Sequence, residues 1–226
     1  MSTFRGRDDG DLRKLPVYLL LDCSASMSGS PIQAVNQGVG TIYTELCNNP
    51  RALSTVKLSV ITFSGNATFT PPVALDQFVP PTLVANGGTP LGGALRALAD
   101  SIDRDLDKTT KDKKGDYCPI VFLLTDGYPT DDYTAQANRI RQFTGSQKPM
   151  IIALGCGGGA DEAMLKNVAQ HVFLMHNVTP EEIRKFFVWL TGSIKQASNA
   201  VVANGDAPIS FAAPTDMPSL QYTPGS

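Results

Sequence analysis

Cysteine pairs, basic excess and long apolar runs are all missing from this sequence, and each absence removes a class of function. The four cysteines, Cys23, Cys47, Cys118 and Cys156, are scattered through apolar segments without a C-x-x-C spacing. Zinc and dithiol redox chemistry therefore have no framework here, and reduced, mostly buried thiols are expected. Nineteen Lys and Arg stand against 21 Asp and Glu, for a formal charge of −2, so no broad basic surface is available to a nucleic acid or an anionic membrane. The apolar stretches are of single-strand length, short of the roughly 20 residues that span a bilayer. Residues 1–14 alternate charges with glycine and hold no apolar run like a signal-peptide core, so a soluble, cytoplasmic protein is expected.

Catalytic signatures are equally sparse. There is no G-x-S-x-G elbow, and the two histidines, His171 and His176, flank one late strand, so a serine hydrolase is not supported. Cys23 precedes a hydroxyl-rich loop as a phosphatase thiolate would. No arginine lies between it and Arg51 to bind phosphate or lower its pKa, however.

What is present is a regular alternation of strands and helices. Apolar side chains make up 42% of the 226 residues, which suits a folded core. Pro16–Asp22 and Pro119–Thr125 are continuous apolar runs, the first ending at Asp22 and the second followed by Asp126, the pattern of strands covered on both faces. Helical spacing follows Ser30-Pro31 and Thr89-Pro90, and Thr179-Pro180-Glu181-Glu182 is a capping box opening a last helix. Lys57–Phe63 reads as a strand, with a turn at Gly65-Asn66 into a short strand that Pro71 and Pro72 confine to an edge. Helices are expected over 131–143 and 161–169, strands over 149–154 and 171–175, and a solvated loop over 107–116. The economical fold is α/β: a doubly wound, mostly parallel central sheet with one antiparallel edge strand and helices on both faces. Residues 1–14 are read as a charged extension, 15–197 as the domain, and 198–226 as an extended or disordered tail.

In such sheets ligands bind beyond the carboxyl ends of strands where strand order reverses. Asp22, Ser24 and Ser26 place a carboxylate and two hydroxyls at alternate positions as the chain leaves its first strand. Thr89 follows Gly87-Gly88, and Asp126 precedes Gly127 in a tight turn. These five residues are a hard-oxygen set suited to Mg²⁺ or Mn²⁺, with Ca²⁺ ranked behind them. Because three of the five are neutral, a divalent ion here keeps enough positive character to attract a carboxylate from another molecule. An isolated D-x-S-x-S is more often a turn or helix cap, and Thr89 alone reads as an N-cap before Pro90; the metal reading rests on joint placement. Asp131 and Asp132 read as helix-start residues.

Asp22-x-Ser24-x-Ser26, Thr89 and Thr125-Asp126-Gly127, in this order, resemble the metal-ion-dependent adhesion site of von Willebrand factor A domains, and the resemblance covers roughly residues 15–197. The wording around these motifs, such as Leu-Leu-Leu-Asp-Cys-Ser-Ala-Ser-Met and Phe-Leu-Leu-Thr-Asp-Gly-Tyr-Pro-Thr-Asp, is similar to that of bacterial tellurium-resistance TerY-type proteins. That narrower resemblance implies a non-enzymatic cytoplasmic scaffold beside a protein kinase and a protein phosphatase in a tellurite-resistance or stress system. The chain lacks a cysteine-rich C-terminal segment, so member functions that depend on one do not carry over.

Two enzyme-like readings stand beside it. Gly155-Cys156-Gly157-Gly158-Gly159-Ala160 fits the dinucleotide pattern G-x-G-x-x-A, but the next strand ends at His176-Asn177 without a carboxylate for a ribose. A metal-dependent phosphohydrolase would use the same two aspartates; it lacks a phosphate clamp, since Arg139 and Arg141 are expected on a helix away from the site.

Overall fold

The computed structural model describes residues 13–204, 212–215, 217 and 219–225; the expected extension 1–14 lies almost wholly outside them. Among the described residues eight strands form one sheet: β1 (Leu15–Asp22), β2 (Val56–Ser64), β3 (Asn66–Phe69), β4 (Val73–Ala74), β5 (Ile120–Thr125), β6 (Met150–Cys156), β7 (His171–Met175) and β8 (Leu220–Pro224). The spatial order is β3-β2-β1-β5-β6-β7-β8, with β4 also paired to β2. β1, β2, β5, β6 and β7 run parallel, while β3 and β4 are antiparallel to β2. Strand order reverses at β1, whose neighbours are β2 on one side and β5 on the other.

Alternation along the buried strands divides the core into two layers. Leu15, Val17, Leu19 and Leu21 of β1, with Ile120, Phe122 and Leu124 of β5, pack under α1 (Ser30–Cys47), α2 (Pro50–Thr55) and α6 (Pro180–Asn204). Tyr18, Leu20, Val121 and Leu123 face α3 (Leu91–Asp105), α4 (Thr134–Arg141) and α5 (Glu162–Val168). All eight residues of β1 are buried, which is why this strand reads as a continuous apolar run. α1 and α6 approach closely because Gly38 lacks a side chain: a Cβ there would run into the Phe187 ring.

The elements depart from the sequence expectation in several places. α2 escapes a periodicity reading because it is only six residues long, although Asn49 caps it by accepting from Ala52 N at 2.9 Å. Thr179 Oγ1 accepts from Glu182 N at 3.2 Å, as a capping box requires, whereas Ser30 is the first residue of α1 rather than its cap. The loop over 107–116 is irregular but anchored. Asp116 is buried, accepting from Lys14 N at 3.3 Å and Asp107 N at 3.1 Å and pairing with Lys57 at 3.3 Å. Among the thiols, Cys23 and Cys156 are buried and Cys47 partly so, but Cys118 is exposed.

The largest departure concerns the expected tail. α6 continues through residue 204, because Ala197, Ser198 and Val201 are buried and Ser198 Oγ shares a 2.7 Å hydrogen bond with Thr55 Oγ1. Leu220–Pro224 then pairs antiparallel with β7 as a second antiparallel edge. Residues 205–211, 216, 218 and 226 of that expected tail lie outside the described residues. Among the described residues no helix is long and apolar enough to cross a membrane.

Candidate metal centre

β1 delivers Asp22 to the carboxyl edge of the sheet and leaves it fully buried. Both carboxylate oxygens are engaged: Oδ1 accepts from Ser24 N at 2.8 Å, and Oδ2 accepts from Thr125 Oγ1 at 2.6 Å. Burial pushes its pKa above the ordinary 3.8, against the hydrogen bonds from Thr125 and Ser24, and the Asp126 charge adds to the rise.

Past Asp22 the chain stays beside β2 for one residue, with Cys23 N donating to Phe63 O at 3.0 Å, and then bends into a 3-10 turn over Ala25–Met27. The bend turns Ser24 and Ser26 toward the end of β5. Their hydroxyls share a hydrogen bond of 3.0 Å, and both reach Asp126 Oδ1, Ser26 at 2.7 Å and Ser24 at 3.4 Å. Ser24 is buried and Ser26 exposed, so the cluster runs from the core to the surface.

Thr89 arrives on a separate loop held against the first. Asn86 N donates to Cys23 O at 2.8 Å and Ala25 N donates to Gly87 O at 3.0 Å. Gly87 is required here. Its φ is 64°, and a Cβ would meet Gly65 N at 2.7 Å. Thr89 is 5% exposed, and its Oγ1 lies 3.3 Å from where a Cβ on Gly127 would stand. The structure thus brings Asp22, Ser24, Ser26, Thr89 and Asp126 together on both sides of the strand-order reversal between β1 and β5.

This donor set fits a hard divalent ion. It offers two carboxylates and three hydroxyls, and such neutral-rich sets leave an ion partly hydrated with positions open. Among the described residues no group of three or more His, Cys, Asp or Glu could hold a metal, so the site departs from the nitrogen- and sulfur-rich pattern of structural zinc.

Thr125, to which the sequence pattern assigns no role of its own, is the partner of the buried Asp22. The signal for it is a hydroxyl at the last position of an otherwise apolar strand. Asp131 binds the start of α3 rather than α4: Oδ1 accepts from Gly92 N at 2.7 Å and Oδ2 from Gly93 N at 2.8 Å. Asp132 does serve α4, accepting from Thr134 N at 2.9 Å. Thr89 places no side-chain cap on α3.

The glycine-rich turn after β6 is occupied by packing. A Cβ on Gly159 would lie 2.7 Å from Asp126 O, and Gly157 adopts φ 73°. The first turn of α5, where a dinucleotide phosphate would sit, is already capped by Asp161, whose Oδ1 accepts from Met164 N at 3.1 Å. Burial, with Asp22 adding, pushes the Cys23 thiol up to about 11, opposite to a reactive thiolate. Arg139 is engaged by two acids of α3, pairing with Asp100 at 2.6 Å and Asp103 at 2.8 Å.

The fold has clear counterparts among solved structures. A von Willebrand factor type A protein from Catenulispora acidiphila superposes with a TM-score of 0.60 at 17% identity, over 81% of this chain and 43% of that one. The ArnB paralog VWA2 from Sulfolobus acidocaldarius gives 0.54 at 16% identity, over 79% and 45%. Proximal thread matrix protein 1 from the mussel byssus, with a zinc-occupied MIDAS motif, gives 0.54 at 17% identity, over 80% and 48%. The chain thus spans less than half the length of each, and at these identities the likeness is one of fold. A search of curated protein sequences gave no match. The sequence profile of the von Willebrand factor type A domain matches residues 17–187, most of the chain and every residue of the oxygen cluster. The chain belongs to the von Willebrand factor type A domain family.

Proposed function

We propose that this protein is a non-enzymatic binding module that uses a divalent ion, Mg²⁺ in the first place and Mn²⁺ as its substitute, to capture an Asp or Glu carboxylate of a partner protein. One observation carries the reading. The side-chain oxygens of Ser24, Ser26 and Asp126 form a hydrogen-bonded cluster beside Thr89, which the Asp22 carboxylate joins through the Ser24 amide, so that donors run from a fully buried carboxylate to an exposed hydroxyl. When bound, an ion supplies an open coordination position for a partner's carboxylate. The chain's own residues do the rest. Thr125 and the Ser24 amide fix Asp22, the 86–89 loop fixes Thr89, and Gly159 lets the following loop close on Asp126. Tyr128, 64% exposed two residues beyond Asp126, offers a ring to the same partner. The zinc-occupied MIDAS of the mussel protein supports a divalent ion at such a site.

The finer reading rests on the resemblance of the motif wording to TerY-type proteins. It makes this chain a cytoplasmic scaffold in a tellurite-resistance or stress response, with a protein kinase and a protein phosphatase as partners.

Free Mn²⁺ followed by its paramagnetic resonance signal tests the site. One saturable ion per chain, competed by Mg²⁺ and lost in both Asp22→Ala and Asp126→Ala variants that keep the wild-type circular dichroism spectrum, is the expected result. Equal Mn²⁺ uptake by wild type and variants would remove the basis of the proposal.

A further inference from the structure

Asn86 stands directly before Gly87 in the loop that carries Thr89, and this dipeptide has a chemistry of its own. Asparagine is thermolabile because its side-chain carbonyl carbon can be attacked by the backbone nitrogen of the next residue. A side chain on that next residue crowds the attack, and glycine has none. The sequence holds one further Asn-Gly step, Asn204-Gly205, whose glycine lies outside the described residues.

The surroundings leave the step at Asn86 open. Both residues are exposed. Among the described residues, no group hydrogen-bonds the Asn86 side-chain amide or the Gly87 N–H, so ring closure breaks no existing bond. Asn36 and Asn138, by contrast, lie inside helices, where the following amide is a helical donor. Asn66 and Asn177 are exposed too, but they precede Ala67 and Val178. The chain is anchored on each side of the reacting peptide, where Asn86 N donates to Cys23 O at 2.8 Å and Gly87 O accepts from Ala25 N at 3.0 Å. The reacting atoms lie between these anchors.

We propose that Asn86 is a self-modifying site, converted in the folded protein to aspartyl and isoaspartyl forms, and that the isoaspartyl form releases the Thr89 loop from Ala25. Gly87 N attacks Asn86 Cγ; the N–Cγ bond forms as the Cγ–Nδ2 bond breaks, the Gly87 proton passes to solvent base, and the amide nitrogen leaves as ammonia. Water then opens the cyclic imide. Attack at Cγ restores the backbone and leaves an aspartate side chain, whereas attack at the main-chain carbonyl carbon routes the backbone through Cγ and lengthens it by one carbon. Water is the sole co-reactant. The added carbon falls between the two anchors, where there is no slack: a Cβ on Gly87 would already meet Gly65 N at 2.7 Å. The Ala25–Gly87 bond is therefore lost and Thr89 is displaced. The effect on an ion rests on the proposed metal site, but the modification does not.

The test ages the full chain in mildly alkaline heavy-oxygen water with chelator and maps its peptides by mass spectrometry. Heavy oxygen should accumulate at position 86, more slowly in mildly acidic buffer, while Asn66 and Asn177 keep their amides. Asn86→Gln, whose larger ring closes more slowly, should abolish the signal and keep the wild-type circular dichroism spectrum. Native protein that keeps the Asn86 amide, while protein unfolded in guanidinium loses it, would overturn the proposal. The aged acidic fraction is then compared with fresh protein and with Asn86→Asp, which has the added charge on an unaltered backbone. Isoaspartyl protein should exchange its Ala25 amide with deuterium faster than either and bind Mn²⁺ about 10–100-fold more weakly than fresh protein. Equal Ala25 protection in all three would overturn the release of the loop. Fresh protein that takes up no Mn²⁺ would sink the ion reading alone, and the mass and exchange readouts would still decide this one.

Discussion

Asp131 grips the start of α3 with both carboxylate oxygens, taking Gly92 N at 2.7 Å and Gly93 N at 2.8 Å. Pro90, which precedes the helix, supplies no side-chain cap, so the orphan amides of the first turn are satisfied across 38 and 39 residues of sequence. The close approach depends on glycine, because a Cβ on Gly92 would run into Asp132 O. The same contact carries Thr130 N to Thr89 O at 2.9 Å. Helix start, Thr89 and the Asp126-Gly127 turn are thus one mechanical unit, and the two glycine pairs around Thr89-Pro90 serve that approach.

Asp131→Ala should therefore lower both stability and ion affinity, although Asp131 belongs to no ligand set. Loss of a charged cap costs about 1–2 kcal/mol, read as a shift of the urea midpoint. Loosening of Thr89 should appear as weaker Mn²⁺ binding. Gly92→Ala forces backbone against backbone and should cost at least as much as the cap. An Asp131→Ala protein with the wild-type midpoint and Mn²⁺ affinity would show that the clamp is idle.

The buried Asp22 gives the ion-free protein a pH dependence of definite sign. Burial raises its pKa from 3.8, so the native state holds the proton more tightly than the unfolded chain. The stability this group contributes is full below 3.8 and is lost as pH rises from there through the raised native value. Asp22→Asn imitates the protonated form. In chelator, its stability relative to wild type should grow as pH rises above about 4, whereas Mn²⁺ should stabilise the wild type alone. Melting temperatures over that range, with and without ion, measure both effects. A difference that stays constant with pH in chelator would remove burial as the dominant influence on Asp22.

The four thiols should separate cleanly by environment. Cys118 is exposed, while Cys23 and Cys156 are buried and burial raises both thiol pKa values, Cys23 to about 11. Native protein treated with an aromatic disulfide reagent at neutral pH should label Cys118 first, and the two buried thiols should react only after denaturant is added. Cys118→Ser should abolish the fast phase. Persistence of that phase in the variant would mean that the partly buried Cys47, or a buried thiol through local opening, is the one labelled.

Those parts of the fold with a strong local signature are legible in the sequence. β1 and β5 are apolar throughout because both faces are covered, and α1, α3 and α6 keep their periodicity because each lays one stripe on the sheet. The oxygen cluster is legible for a related reason, since acids directly after such strands lie at the carboxyl edge and nowhere else. What escapes a sequence reading is fixed by distant partners. Asp131 looks like a helix-start residue, and only tertiary structure brings Gly92 and Gly93 to it. Thr125 gains its role from Asp22, 103 residues earlier. Leu220–Pro224 carries weak strand propensity and a proline, and it becomes a strand because β7 offers an unpaired edge.

That last strand leads to a prediction about the edge it covers. Tyr222 shares a 3.0 Å hydrogen bond with His171 Nδ1 and places its ring centroid 5.2 Å from that of Phe173, while Gly225 N donates to Gln170 O at 2.9 Å. Trp189 Nε1 donates to Ala212 O at 2.9 Å, tying the same region to α6. Deleting residues 219–226 removes the β7–β8 ladder and leaves the amides and carbonyls of β7 open along a strand whose Val172, Phe173 and Leu174 are apolar. The truncated protein should lose about 2–4 kcal/mol in urea unfolding, from the lost side-chain burial and ladder bonds, and should self-associate with rising concentration in sedimentation velocity, as an uncovered edge strand does. Tyr222→Ala retains the backbone pairing, so it should lose about 1 kcal/mol and remain monodisperse under conditions where the truncation associates. A truncated protein as stable and as monodisperse as the full chain would mean that β8 lies on the sheet without supporting it.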